Sequence, residues 1–147
     1  KLDGNEVSTA SSYTYQTTYD DAGTHTVKLD VSDGTSEVSK LWSVNVVNVN
    51  RKPVLENIGD INTKETDKIV VTALATDADK DPITYSISDS RFVQDGNVFT
   101  WQTDYDSTGT YQVTATASDG QDKAEQTFTV SVENVNRPPV IVDVTQK

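Results

Sequence analysis

One pattern occurs twice in this chain. The blocks Tyr-Asp, Gly-Thr, Ser-Asp-Gly and Asn-Val-Asn-Arg-x-Pro-Val follow Tyr19, and they recur after Tyr105 in register and without a gap. The offset is 86 residues, the distance from Tyr19 to Tyr105. A fixed period of this length marks tandem structural units, and every local motif has to be read inside it. The copies also show which positions pack. Tyr13 pairs with Phe99, Tyr15 with Trp101, Tyr19 with Tyr105, His25 with Tyr111, and Trp42 with Phe128. Rings are kept while their chemistry changes, as expected of a core rather than of a reacting group.

The period divides the 147 residues into units of ordinary domain size. Residues 51–136 read as one complete unit. Residues 1–50 match only the C-terminal part of a unit, so a truncated domain is expected there. Residues 137–147 match the first strand of a further repeat. The chain opens on Lys1 rather than Met, and it is expected to be a piece of something longer.

Alternation sets the fold class. Over Thr24–Ser32 the residues His25, Val27, Leu29 and Val31 share one face, and Thr26, Lys28 and Asp30 share the other. Asp33-Gly34 turns the chain, and the return strand assigns Trp42, Val44 and Val46 to a buried face. A strand is also expected over Tyr13–Thr17, and a hairpin turn at Asp3-Gly4-Asn5. In the second unit the pattern gives strands near 53–58, 68–75, 83–88, 97–102, 109–118 and 124–132. No stretch has a helical period. Short alternating strands split by Gly and Asp turns predict an all-β chain of tandem immunoglobulin-like β-sandwiches. The joint Val-Asn-Val-Asn-Arg-Lys-Pro should be short and stiff, since Pro53 lacks a donor and holds Lys52 extended.

Two sets of residues carry a resemblance. Ala75-Thr76-Asp77-Ala78-Asp79-Lys80-Asp81-Pro82-Ile83-Thr84-Tyr85, with Phe99-Thr100-Trp101, Gly109-Thr110-Tyr111 and Ser118-Asp119-Gly120, resembles dystroglycan-type cadherin-like repeats over residues 51–136. Leu2-Asp3-Gly4, Tyr13-Thr14-Tyr15, Tyr19-Asp20, Ala22-Gly23-Thr24 and Val31-Ser32-Asp33-Gly34 are similar to a polycystic-kidney-disease (PKD) repeat over residues 1–50. Both groups are cadherin-like or PKD-like immunoglobulin sandwiches strung along large surface proteins of archaea and bacteria. Asp106, Tyr111 and Val113 also resemble a tyrosine corner, whose hydroxyl ties back to the chain. His25 then stands where Tyr111 stands, which makes the single histidine a corner substitute before a catalytic base.

The chemistry on offer is narrow. The sequence has no cysteine, and so no disulfide, thiol nucleophile or zinc-thiolate site. A formal net charge of −11 argues against nucleic acid and anionic membrane surfaces as partners. No apolar run approaches a membrane span, so no membrane insertion is expected of this segment. No phosphate loop or catalytic signature is present, and no catalytic residue is assigned. The chain is expected not to be an enzyme.

One constellation has metal-ligand spacing. Alternate residues Asp77, Asp79 and Asp81 can aim carboxylates at one point, and hard oxygen ligands suit Ca2+. The cadherin-like resemblance implies a joint calcium site at Asp77 and Asp79, helped by Asp119 and by the preceding linker. Here that linker offers only amides and carbonyls, as at Asn50, while Arg51 and Lys52 add positive charge. Two readings stay open: a single weak Ca2+ site, or a solvated turn before Pro82 with Asp119-Gly120 as a hairpin turn.

The expected function is a non-catalytic extracellular repeat segment. It would serve at the cell surface as spacer, adhesive stalk, or surface-layer or filament component, with neighbouring repeats of the same protein as partners. The alternative is a carbohydrate-binding accessory module of a secreted hydrolase, using the clustered rings of Tyr13, Tyr15 and Tyr19. The truncated first unit also leaves an apolar face open, and the β-branched segment 139–145 could fill it in a second copy by strand exchange. The plain alternative is a clipped chain with a frayed first unit.

Overall fold

Residues that alternate in polarity have become strands, and Gly and Asp mark where those strands turn. The computed structural model describes residues 1–141, which fall into two compact units, Lys1–Asn50 and a second that begins at Arg51. Among the described residues there is no α-helix, only a single 3-10 turn at Tyr19–Asp21.

The first unit is built on one hairpin. Strands β1 (Gly23–Ser32) and β2 (Glu37–Val46) pair antiparallel from Gly23 opposite Val46 to Ser32 opposite Glu37. Asp33 closes the turn by accepting the amides of Thr35 and Ser36 at 2.9 and 2.8 Å. The Asp3-Gly4 turn forms as the sequence predicts. Leu2 bridges Asn5, and both central residues have positive φ, which suits a tight primed hairpin. Tyr13–Thr17 is not a strand. Its counterpart in the second unit has strand partners on both sides, and no described strand of the first unit lies beside it.

The second unit is a two-layer sandwich. It comprises β3 (Val54–Leu55), β4 (Ile61–Lys64), β5 (Lys68–Thr72), β6 (Ala75–Thr76), β7 (Thr84–Ile87), β8 (Val93–Asp95), β9 (Val98–Gln102), β10 (Gly109–Ser118) and β11 (Lys123–Glu133). One sheet has the order β4-β11-β10-β7. Opposite it lie β5-β9-β8 and the pair β3-β6. The strand expected over 53–58 is shorter, and the chain crosses between sheets after it: β3 pairs with β6, whereas β4 runs parallel to β11. Strand β8 was not evident from the sequence pattern.

Every second residue faces inward, as strand geometry requires. Ile69, Val71, Phe99 and Trp101 on one layer meet Val113, Ala115, Ala117, Phe128, Val130 and Val132 on the other, and all are buried. The hairpin β10–β11 keeps the register of β1–β2, pairing Gly109 with Val132.

The two units part company in what covers that inner face. Phe128 is 2% exposed and Val130 0%, yet their counterparts Trp42 and Val44 are each 45% exposed. Leu29 and Val31 are likewise exposed, while Ala115 and Ala117 are buried. In the second unit Leu55, Ile69, Val71 and Ala73 belong to the layer that closes the core. The described residues of the first unit contain no equivalent layer, so the face read as buried is open.

Candidate functional site

The acidic turn joins β6 to β7. Asp77 organises it: its Oδ1 accepts the amides of Asp79 at 2.8 Å and Asp81 at 3.2 Å. This is the local aspartate turn that competes with regular structure. Lys80 has φ 66°, which tightens the bend. The result brings carboxylate oxygens of Asp77, Asp79 and Asp81 within 4.8 Å of one another.

Asp79 is already engaged. Its Oδ2 accepts the Arg51 backbone N–H at 2.7 Å, and its Oδ1 accepts Arg51 Nε at 2.9 Å and Nη2 at 2.8 Å. The Arg51 guanidinium beside it holds the Asp79 carboxyl below the usual carboxylate range, and the Asp119 charge opposes that shift. Arg51 Nη2 also donates to the Ala78 carbonyl at 3.0 Å. The second oxygen of Asp77 is buried and has no hydrogen-bond partner.

Asp119 lies in the β10–β11 turn, close enough for its charge to act on Asp79. Its Oδ1 accepts the amides of Gln121 and Asp122 at 2.7 and 2.6 Å, as Asp33 does in the first unit. Asn50 belongs to the first unit. Of the residues assigned by spacing, the structure brings Asp77, Asp79 and Asp81 together. Arg51 is the participant that spacing missed. The sequence marked it by its positive charge beside the linker and by its place inside a signature that returns as Asn-Val-Asn-Arg at Arg137.

A second site is the corner. Tyr111 donates its hydroxyl to the Ser107 carbonyl at 2.8 Å, and its ring packs edge-on against Trp101 at 5.1 Å. Arg91 lies over the Tyr111 ring at 3.9 Å and grips Asp89 through Nε and Nη2 at 2.9 and 2.8 Å. In the first unit His25 Nε2 reaches the Asp21 carbonyl at 2.7 Å, and its ring meets Tyr15 edge-on at 5.9 Å. His25 Nδ1 lies 2.8 Å from Asp3 Oδ2. Asp3 and Asp89 are counterparts, so each corner sets one nitrogen-bearing side chain against one carboxylate. The partner of that carboxylate is Arg91 in one unit and the histidine ring itself in the other. The turn beneath is also conserved in chemistry but swapped in order, Thr18 with Asp21 in one copy and Asp104 with Ser107 in the other. Asp21 is pulled down to about 2 by the Tyr15 hydroxyl and by Thr18, and Tyr15 is pushed up to about 12.

The first unit also carries a groove of about 410 Å³, lined by Tyr13, Tyr15, Val27, Leu29, Trp42 and Val44 among others. It is the uncovered inner face described above.

Comparison places these observations. No curated protein matches the chain. A fragment of human protocadherin-24, EC1-2, is 24% identical with a TM-score of 0.46, covering 58% of this chain and 44% of that one. Extracellular domains 3-5 of Drosophila OTK are 15% identical with a TM-score of 0.51, covering 80% and 42%. This chain thus spans less than half the length of either fragment, and the likeness to OTK shows the shared fold. The family profile that matches is the bacterial Ig domain, over residues 50–133. By that match and its sandwich of Ig-like sheets, the chain belongs to the bacterial Ig domain family.

Proposed function

We propose that the chain is a stretch of non-catalytic extracellular repeats, acting at the cell surface as spacer or adhesive stalk, with neighbouring repeats as its partners. The observation that supports this reading is what the repeat preserves. Both corners bond the same backbone carbonyl, at Asp21 and at Ser107, and both hairpins keep one register. Repetition of packing chemistry suits a structural array. Antibody raised against residues 51–136 should label intact cells of the producing organism. Labelling only after permeabilisation would overturn the reading.

The finer assignments are proposals of the same kind: a cadherin-like repeat for 51–136, a PKD-like one for 1–50, and a prokaryotic surface or filament setting. Calcium at Asp77, Asp79, Asp81, Asp119 and Asn50 is a further proposal, supported by the close carboxylates and the partnerless Asp77 Oδ2. Calcium would have to share or displace the Arg51 contact at Asp79.

A second reading is a carbohydrate-binding accessory module. The open rings of Tyr13 and Trp42 favour it, because sugars stack on exposed aromatic faces. A panel of oligosaccharides should then change Trp42 fluorescence, and a Trp42→Ala variant should lose the response. Silence across the panel counts against it.

A further inference from the structure

We propose that Arg51 is the built-in counter-cation of the Asp77–Asp81 turn, filling from within the chain the place that a divalent metal would take. Three carboxylates whose oxygens lie within 4.8 Å repel one another unless a positive charge stands among them. Arg51 supplies that charge with unusual completeness. Both oxygens of Asp79 are bonded, Oδ1 by two guanidinium nitrogens of Arg51 and Oδ2 by the Arg51 backbone N–H. The Asp79 side chain is nearly buried, so the contact is shielded from solvent.

The geometry also makes metal and arginine alternatives. A calcium ion takes carboxylate oxygens at about 2.3–2.6 Å. A cation on Asp79 Oδ1 would therefore sit against two guanidinium nitrogens that are 2.8 and 2.9 Å from the same atom. Two positive centres on one carboxylate oxygen repel each other, so each weakens the other's hold on Asp79. Lysine would not serve as well, because one ammonium cannot present two fixed donors to Asp79 and a third contact to the Ala78 carbonyl. The turn's own amides satisfy Asp77 Oδ1 without a metal, while Asp77 Oδ2 is left without a partner.

This inference goes beyond the spacer reading and bears on the calcium proposal, and its test separates the two. Melting of the full chain is followed in EDTA and in millimolar Ca2+. Wild-type protein should melt alike in both. Arg51→Gln should lower Tm in EDTA by about 5 °C for a unit of this size, and Arg51→Lys should recover only part of that. Adding Asp79→Asn to Arg51→Gln should cost much less than Asp79→Asn alone, because residues that act as a pair are not additive. Strictly additive losses would overturn the proposal, as would a Tm that rises with Ca2+ by the same amount in wild type and Arg51→Gln. Coupled losses with no Ca2+ response in either protein would support the arginine latch while removing the calcium proposal.

Discussion

His25 Nε2 lies 2.7 Å from the carbonyl oxygen of Asp21, and its Nδ1 lies 2.8 Å from Asp3 Oδ2. A carbonyl and a carboxylate can only accept, so this arrangement favours the form of the ring that carries hydrogen on both nitrogens. Asp3 foremost, then the Asp21 carbonyl, raise the histidine above its ordinary 6.5. The groups that face the ring are the Asp3 carboxylate, the Asp21 carbonyl and carboxylate, and Tyr15.

The pH dependence of the first unit follows. A raised histidine contributes its stability fully below about 6.5, the unfolded value, and loses it as pH climbs through the folded one. Asp3, lowered mainly by His25, contributes above its unfolded value of 3.8 and loses that contribution as pH falls through its folded value. The corner should therefore hold best between those limits. NMR titration of the His25 ring should give a midpoint above 6.5, and His25→Gln should flatten the alkaline side of the stability profile. A midpoint at or below 6.5 contradicts the two-acceptor geometry.

Much of this was legible in the sequence because the repeat compares the chain with itself. The bounds of β10 and the pairing of His25 with Tyr111 followed from alternation and register, since a two-residue period leaves one way to face the core. The crossing from β3 to β4 was not legible: a change of sheet leaves the polarity pattern intact. Strand β8 was missed because its three residues are all exposed and carry no alternation. At the acidic turn the carboxylates were visible as a spacing, but the Arg51 contact joins residues 28 apart and depends on how β3 lies against β6.

Gly109 and Tyr111 should prove coupled. Gly109 has φ 149°, where a side chain is strained, and a Cβ there would stand 3.2 Å from the Tyr111 hydroxyl oxygen. Gly109→Ala should cost about 1–3 kcal/mol through the backbone and push the hydroxyl off the Ser107 carbonyl. Tyr111→Phe should cost about 1 kcal/mol for the lost hydrogen bond. In the Tyr111→Phe background the glycine substitution should cost somewhat less than in wild type, because the hydroxyl oxygen is gone while the ring carbon Cζ, 3.3 Å from the added Cβ, remains. Denaturant midpoints of the four proteins give the coupling, and equal losses in both backgrounds would rule out the clash.

Glu65 should act as the clamp on the end of β11. Its side chain is buried, its Oε2 accepts the Val135 amide at 2.7 Å, and its own amide donates to the Glu133 carbonyl at 2.9 Å. Glu65→Ala strips the Val135 N–H of its acceptor, at a cost of about 1–3 kcal/mol. Glu65→Gln keeps an acceptor oxygen and should lose less. Hydrogen exchange at the Val135 amide is the direct readout: it should quicken markedly in the alanine variant and little in the glutamine one.

The open face of the first unit supplies the last prediction. Leu29, Val31, Trp42 and Val44 are all exposed, and each such side chain moved out of water is worth about 1.5–3 kcal/mol. The proposed occupant is the segment 139–145 of a second copy. Of that segment, residues 142–145 lie outside the described residues, and Val140 and Ile141 are exposed. By the 86-residue register Val140 and Ile141 are counterparts of Val54 and Leu55, which form β3 in the second unit, where Leu55 enters the core. Addition of a strand to an uncovered sheet is a recognised mode of association, and a contact between unlike surfaces propagates from copy to copy. Light scattering should find species heavier than a monomer that revert to monomer when residues 138–147 are removed, or when Val140→Asp and Ile141→Asp are combined. Trp42 fluorescence should shift to the red at the same time, as its ring returns to water. A monomer with and without the segment would refute strand exchange and leave the apolar face to a different occupant.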